Sequence, residues 1–177
     1  MSEKNKEIFD VKVFTKTFIQ KLFINFIWVG IFSYILLEIS QEFFPDILRL
    51  LVVIFLIYLV IKKIHLAAIS ETFMIGKINS EDVNKIAKNI IIVYCVLFFI
   101  GTIFSVGNYF ISLKTIEKLN SSELIFESIT GSKEVMQNNA IRKLLYNTII
   151  QLTSNVVLAF ICVKKFKKES AKPENLS

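Results

Sequence analysis

The chain is expected to fold as an all-α integral membrane protein, a bundle of four transmembrane helices with both ends on the cytoplasmic side. Three observations carry that expectation. Residues 89–113 form a run of twenty-five without a charge between Lys88 and Lys114, and a hydrocarbon layer of ~30 Å takes about 20 apolar residues at 1.5 Å each. The composition is 54% hydrophobic with 17 Phe, and the mean hydropathy is +0.58, above the roughly 45–50% apolar share of a soluble domain. The formal charge of +6 is spread as basic residues flanking apolar runs instead of one groove-binding face with interleaved aromatics. That pattern points to a membrane and away from nucleic acid.

Residues 1–21 carry Lys4, Lys6, Lys12, Lys16 and Lys21 among Ile8, Val11, Phe18 and Leu22, at near-helical spacing. They read as a basic, amphipathic cytoplasmic lead-in with a short surface helix, or as a charged leader that only orients the first span. That span covers about 22–40, whose uncharged part ends before Glu38 and holds Trp28, Gly30 and Tyr34. A secretory signal peptide competes for this run, but the basic leader is long and no small-x-small cleavage site comes after it.

Pro45 is expected at the first position of the next helix, with Asp46 in its first turn where the helix dipole favours an anion. The second span is the shortest. Its uncharged core, 50–61, reaches 47–64 only if Arg49 snorkels outward and Lys62 and Lys63 inward. His65, the lone histidine, sits at that boundary as an interfacial residue. Residues 66–88 are expected as a cytoplasmic turn in which Ser80 caps a helix with Glu81 and Asp82 in its first turn, running unbroken into the third span, 89–113.

The polar segment 114–143 should be a partly helical extracytoplasmic loop. Asn120 with Glu123 resembles a capping box, and Thr130-Gly131-Ser132 can break one short helix and cap the next. The fourth span covers 144–163. Lys164, Lys165, Lys167 and Lys168 come at once after it, so residues 164–177 read as a basic, disordered cytoplasmic tail placed to contact anionic lipid. Sorted by this topology, fifteen Lys/Arg face one side and six the other, the positive-inside pattern. Without the second span the counts would be ten and eleven, which supports its insertion.

Two spans carry polar residues in helical register. Tyr94, Gly101, Ser105, Asn108 and Ser112 share one face of the third, and Asn147, Gln151, Ser154, Asn155 and Cys162 one face of the fourth, at 100° per residue. Amides facing lipid would leave donors and acceptors unmet, so both stripes should turn away from it. Either they form a packing seam, with Gly101 and Ser105 as a small-x-x-x-small contact, or they line a polar path. Coupled transport is disfavoured, because the centres of the spans lack the ionisable group it uses.

Enzymatic chemistry is not expected. One histidine cannot build H-E-x-x-H, the serines within the spans have no His partner, no Gly-x-Ser-x-Gly elbow exists, and Gly76-Lys77 lacks the upstream Gly of a phosphate loop. Cys95 and Cys162 have no metal-ligand spacing, so no metal or cofactor is expected. The sequence therefore suggests a non-enzymatic accessory, regulatory or assembly subunit of a membrane, with another membrane protein or a second copy of itself as partner. The alternative is a small homo-oligomeric channel lined by the polar face of the last helix. The layout of four short spans is shared by many small prokaryotic membrane proteins, which suggests the plasma membrane of a prokaryote and nothing about activity.

Overall fold

The computed structural model describes residues 7–43, 45–119 and 133–176. In order these form β1 (Glu7–Phe9), α1 (Val11–Phe43), α2 (Asp46–Leu59), a π-helical stretch (Val60–Leu66), α3 (Ala67–Ile75) and β2 (Gly76–Ile78). A 3₁₀ turn (Ser80–Asp82), α4 (Val83–Leu119), α5 (Lys133–Ser170) and a second 3₁₀ turn (Pro173–Asn175) complete the order. Four helical stretches are long and apolar enough to cross a membrane: Val11–Ser40, Leu50–Ile75, Ser80–Ile116 and Val135–Ser170. Their surfaces suit lipid. Ile47, Trp28, Ile103, Phe104 and Phe160 are each at least 70% exposed, and so much bare apolar surface would be a liability in water.

The residues group into two compact units, one built from residues up to Val93 together with Leu158 onward, the other from Tyr94–Val157. In the first unit α1 starts at a cap that the periodicity did not reveal: Asp10 Oδ1 accepts the Val13 N–H at 2.7 Å, satisfying one of the orphan donors of the first turn. From there α1 is one helix of 33 residues. The expected separate amphipathic lead-in is thus corrected: residues 11–21 are the first turns of the same continuous helix that carries the first apolar stretch, and residues 1–6 lie outside the described part. Its inner face is Phe14, Phe18 and Leu22, all buried, whereas Ile8 is exposed. Phe14 meets Phe73 of α3 and Phe166 of α5 edge-on, with ring centroids 5.3 and 5.4 Å apart, and Phe73 stacks on Phe166 at 5.6 Å.

Residues 66–88 are not the turn expected from the sequence. The second helical stretch continues to Ile75, and only residues 76–82 leave it. The wider π turn leaves Lys62 and Lys63 exposed while Ile64 and His65 are buried, as are Ala68, Ile69, Thr72 and Phe73 one and two turns on. Thr72 Oγ1 donates to its own helix at Ala68 O, 2.7 Å away, so its burial costs no unmet donor. Lys62 does not reach forward either. Its Nζ turns back to Tyr58, donating to Oη at 2.7 Å and lying 5.2 Å from the ring centroid, as expected of a helical side chain that leans towards the N-terminus. Pro45 is the N-cap of α2, with extended ψ of 158°, one position earlier than expected.

β2 pairs in parallel with β1, Glu7 opposite Gly76 and Phe9 opposite Ile78. A Cβ on Gly76 would lie 2.6 Å from the Phe9 ring, so only glycine admits this approach. Ile78 also bridges Leu176. The end of the chain is accordingly ordered through Leu176, in contrast to the expected loose tail. Asn175 is buried, and its Nδ2 donates to Glu169 O at 3.0 Å.

In the second unit α4 runs on to Leu119 and α5 begins at Lys133, so residues 114–119 and 133–143 are continuations of the long helices. The capping box expected at Asn120–Glu123 and the break at 130–132 lie outside the described residues.

Candidate polar seam

Ser105 and Gly101 stand one turn apart on α4, and Gln151 reaches them from α5. Gln151 Nε2 donates to Ser105 Oγ at 3.0 Å. A Cβ on Gly101 would come within 2.9 Å of Gln151 Oε1, so the glycine is the seat on which the amide lies. Oε1 itself is buried and accepts no hydrogen bond among the described residues, leaving an amide with one end paired and one end unmet.

The remaining predicted seam residues divide. Asn155 does not cross to α4: its Nδ2 donates to the Gln151 carbonyl of its own helix at 2.8 Å. Ser154 is exposed. The side-chain amides of Asn108 and Asn147 make no hydrogen bond among the described residues. They line a cleft of about 290 Å³ with Ser105, Tyr109, Ser112 and Lys143. The Ser112 hydroxyl is already donated to Asn108 O at 2.9 Å. Tyr94 and Cys162, which share these faces, are buried at 1% and 0% exposure. Among the amides and small residues of the seam, Gln151, Ser105 and Gly101 form a direct contact between the two helices.

A second set of polar contacts between helices went unpredicted. In the first unit Asn25 Nδ2 donates to Glu71 Oε1 at 3.4 Å, Lys21 Nζ stands 3.9 Å from Glu71 Oε2, and Asn89 Nδ2 donates to Thr15 Oγ1 at 3.1 Å. A signal for it existed, since Asn25 is an amide inside an apolar run and Glu71 is an acid on a helix face otherwise occupied by Ala68, Ile69 and Thr72. No group of three His, Cys, Asp or Glu is gathered for a metal among the described residues.

The basic run after α5's apolar stretch is less uniform than its sequence. Lys164, Lys167 and Lys168 are exposed, but Lys165 Nζ is held by Glu169 Oε1 at 2.7 Å, and Lys172 holds Glu169 Oε2 at 2.6 Å. Burial pushes the Glu169 carboxyl up, yet the two lysine hydrogen bonds outweigh it and hold the group below its ordinary value of 4.5. The Lys172 ammonium is raised in return, chiefly by that hydrogen bond.

No family model, no curated protein and no solved structure matches this chain. The functional reading therefore rests on its own residues.

Proposed function

We propose that the chain is a four-span protein of a plasma membrane, with both termini cytoplasmic, that acts without catalysis as an accessory, regulatory or assembly subunit through helix contacts in the bilayer. The observation that carries this reading is the Gln151–Ser105–Gly101 contact. The most polar side chain of the last apolar stretch is used to join two helices, which is the ordinary work of such residues in lipid. Apolar faces of all four long helices stay uncovered, offering surface to lipid, to a partner or to a second copy. The asymmetry of fifteen basic residues against six supports the orientation.

A second reading has its own observation in its favour: Asn108, Asn147 and Ser112 line an open cleft instead of pairing across the helices. That is the start of a polar path, which a ring of copies would complete as a pore. Reconstitution in liposomes separates the two. The subunit reading expects no flux of ions or small dyes in several lipid compositions; flux that Asn147→Leu abolishes would replace it with the pore. Orientation has a separate test. Cysteines placed at Ser80 and Ser122, in a background without Cys95 and Cys162, should label oppositely with an impermeant maleimide, and labelling of both from outside would remove the four-span topology.

A further inference from the structure

Beside the first two turns of α1 lies a cleft of about 630 Å³ lined by Val11, Lys12, Thr15, Lys16 and Ile19, with Asn89 of α4 among its walls. Lys12 and Lys16, one turn apart on a single face, border it. Both are exposed and neither has an acidic partner among the described residues. Thr15 and Asn89 are tied to each other by their 3.1 Å hydrogen bond; Gln20 adds a polar group at the edge, and Val11 and Ile19 make up the apolar part of the wall. Depth adds a second argument. Asn89 opens the longest apolar stretch of the chain and Lys21 is the last charge before the first, so the cleft sits at the level where both helices pass from polar to apolar surroundings. Its lysines lie towards the polar end, and Ile19 lies towards the apolar end.

The geometry points to a binding site for one anionic phospholipid, its phosphate held by Lys12 and Lys16 and an acyl chain laid along the Val11 and Ile19 side of α1. This inference rests on the reading of the chain as a membrane protein. A basic pocket beside a spanning helix, at the interface, has the chemistry that recognises such headgroups. The occupant is a lipid and not free phosphate, because a small anion would leave the apolar wall uncovered. The lysine run in the last turns of α5 differs in kind. Lys164, Lys167 and Lys168 are exposed there, and Lys165 is already engaged by Glu169.

The test uses the full chain in vesicles of phosphatidylcholine with a minority of phosphatidylglycerol. Native Trp28, the single tryptophan, first reports insertion: brominated phosphatidylcholine should quench it, and failure to do so would sink the membrane reading itself. Ile19→Trp in a Trp28→Phe background then places the reporter in the cleft. Brominated phosphatidylglycerol should quench it with a preference of about fivefold over brominated phosphatidylcholine, the value of one lysine well placed at an anionic headgroup. Lys12→Gln with Lys16→Gln should bring the ratio to one, whereas the Arg pair, or Lys167→Gln with Lys168→Gln, should preserve it. Equal quenching by both lipids while Trp28 is quenched normally overturns the lipid site and leaves the membrane reading standing. Loss of preference with the Lys167 and Lys168 changes would reduce the effect to diffuse charge and overturn it too. Abolition of the preference by millimolar inorganic phosphate at constant ionic strength would reassign the site to the free anion.

Discussion

The two compact units of this chain hold together by different means. In the first, Phe14, Phe73 and Phe166 from three helices share one ring cluster, and nearly every fully buried apolar side chain among the described residues, Phe18, Ile69, Ile86 and Ile90 included, lies there. In the second, Tyr94 and Ile116 are the buried apolar side chains among the described residues, and the contact between α4 and α5 that stands out is a single amide on a serine. The positions explain the contrast. Phe14 and Phe166 stand among the lysine-bearing turns at the ends of α1 and α5, beside Lys12, Lys16, Lys165 and Lys167. Residues 94–113 and 144–157 lie within the uncharged stretches, and between helices surrounded by lipid, itself as apolar as Leu, hydrogen bonds and close glycine approaches take over the holding.

The largest effect expected from this contrast is in the ring cluster. Phe166→Ala should lower stability in detergent by about 3–5 kcal/mol, as for other buried Phe truncations, while Phe104→Ala, at a side chain 70% exposed, should change it by less than ~0.5 kcal/mol. Thermal or denaturant unfolding measures both, and comparable losses would dissolve the distinction between the units.

The seam should respond next. Gln151→Leu removes the donor to Ser105 and should cost about 0.5–2 kcal/mol, part of which returns when Ser105→Ala is added, since removing both partners costs less than stranding one. Gly101→Ala presses a methyl against the Gln151 amide, so its cost of about 1 kcal/mol should vanish in a Gln151→Ala background. Additive effects throughout would show that the amide does not join the helices.

A smaller effect belongs to the end of the chain. Because its two lysines hold the Glu169 carboxyl below the ordinary range, the stability this group contributes is present above the unfolded carboxylate pKa and fades as pH falls through the depressed one. Protection from hydrogen exchange at residues 172–176, taken relative to the intrinsic rate at each pH, should therefore fall below about pH 4.5, and Glu169→Gln should lower it already at neutral pH. A profile flat from pH 7 to 3 would leave the pairing without structural consequence.

Fold class was legible because it depends on composition and on lengths of apolar run, which are local properties: the long apolar helices and the candidate Gln151–Ser105–Gly101 face could be read at 100° per residue, whereas the expected Ser80 cap is displaced to Asn79, with Ser80 inside a 3₁₀ turn and no side-chain capping bond. What the chain does was not legible, since no residue constellation in it requires one chemistry. The second helix shows where local reading stops. Lys62, Lys63 and His65 looked like the end of a span, and only the buried face formed by Ile69, Thr72 and Phe73 together with Phe14 and Phe166 carries the helix on to Ile75. The same holds for Asn155, whose stripe position promised a partner on α4 and whose amide instead found the Gln151 carbonyl four residues back. Periodicity determines which residues share a face. Whether that face meets another helix, lipid or its own backbone depends on contacts between residues far apart in the chain, and those were decided only by the tertiary structure.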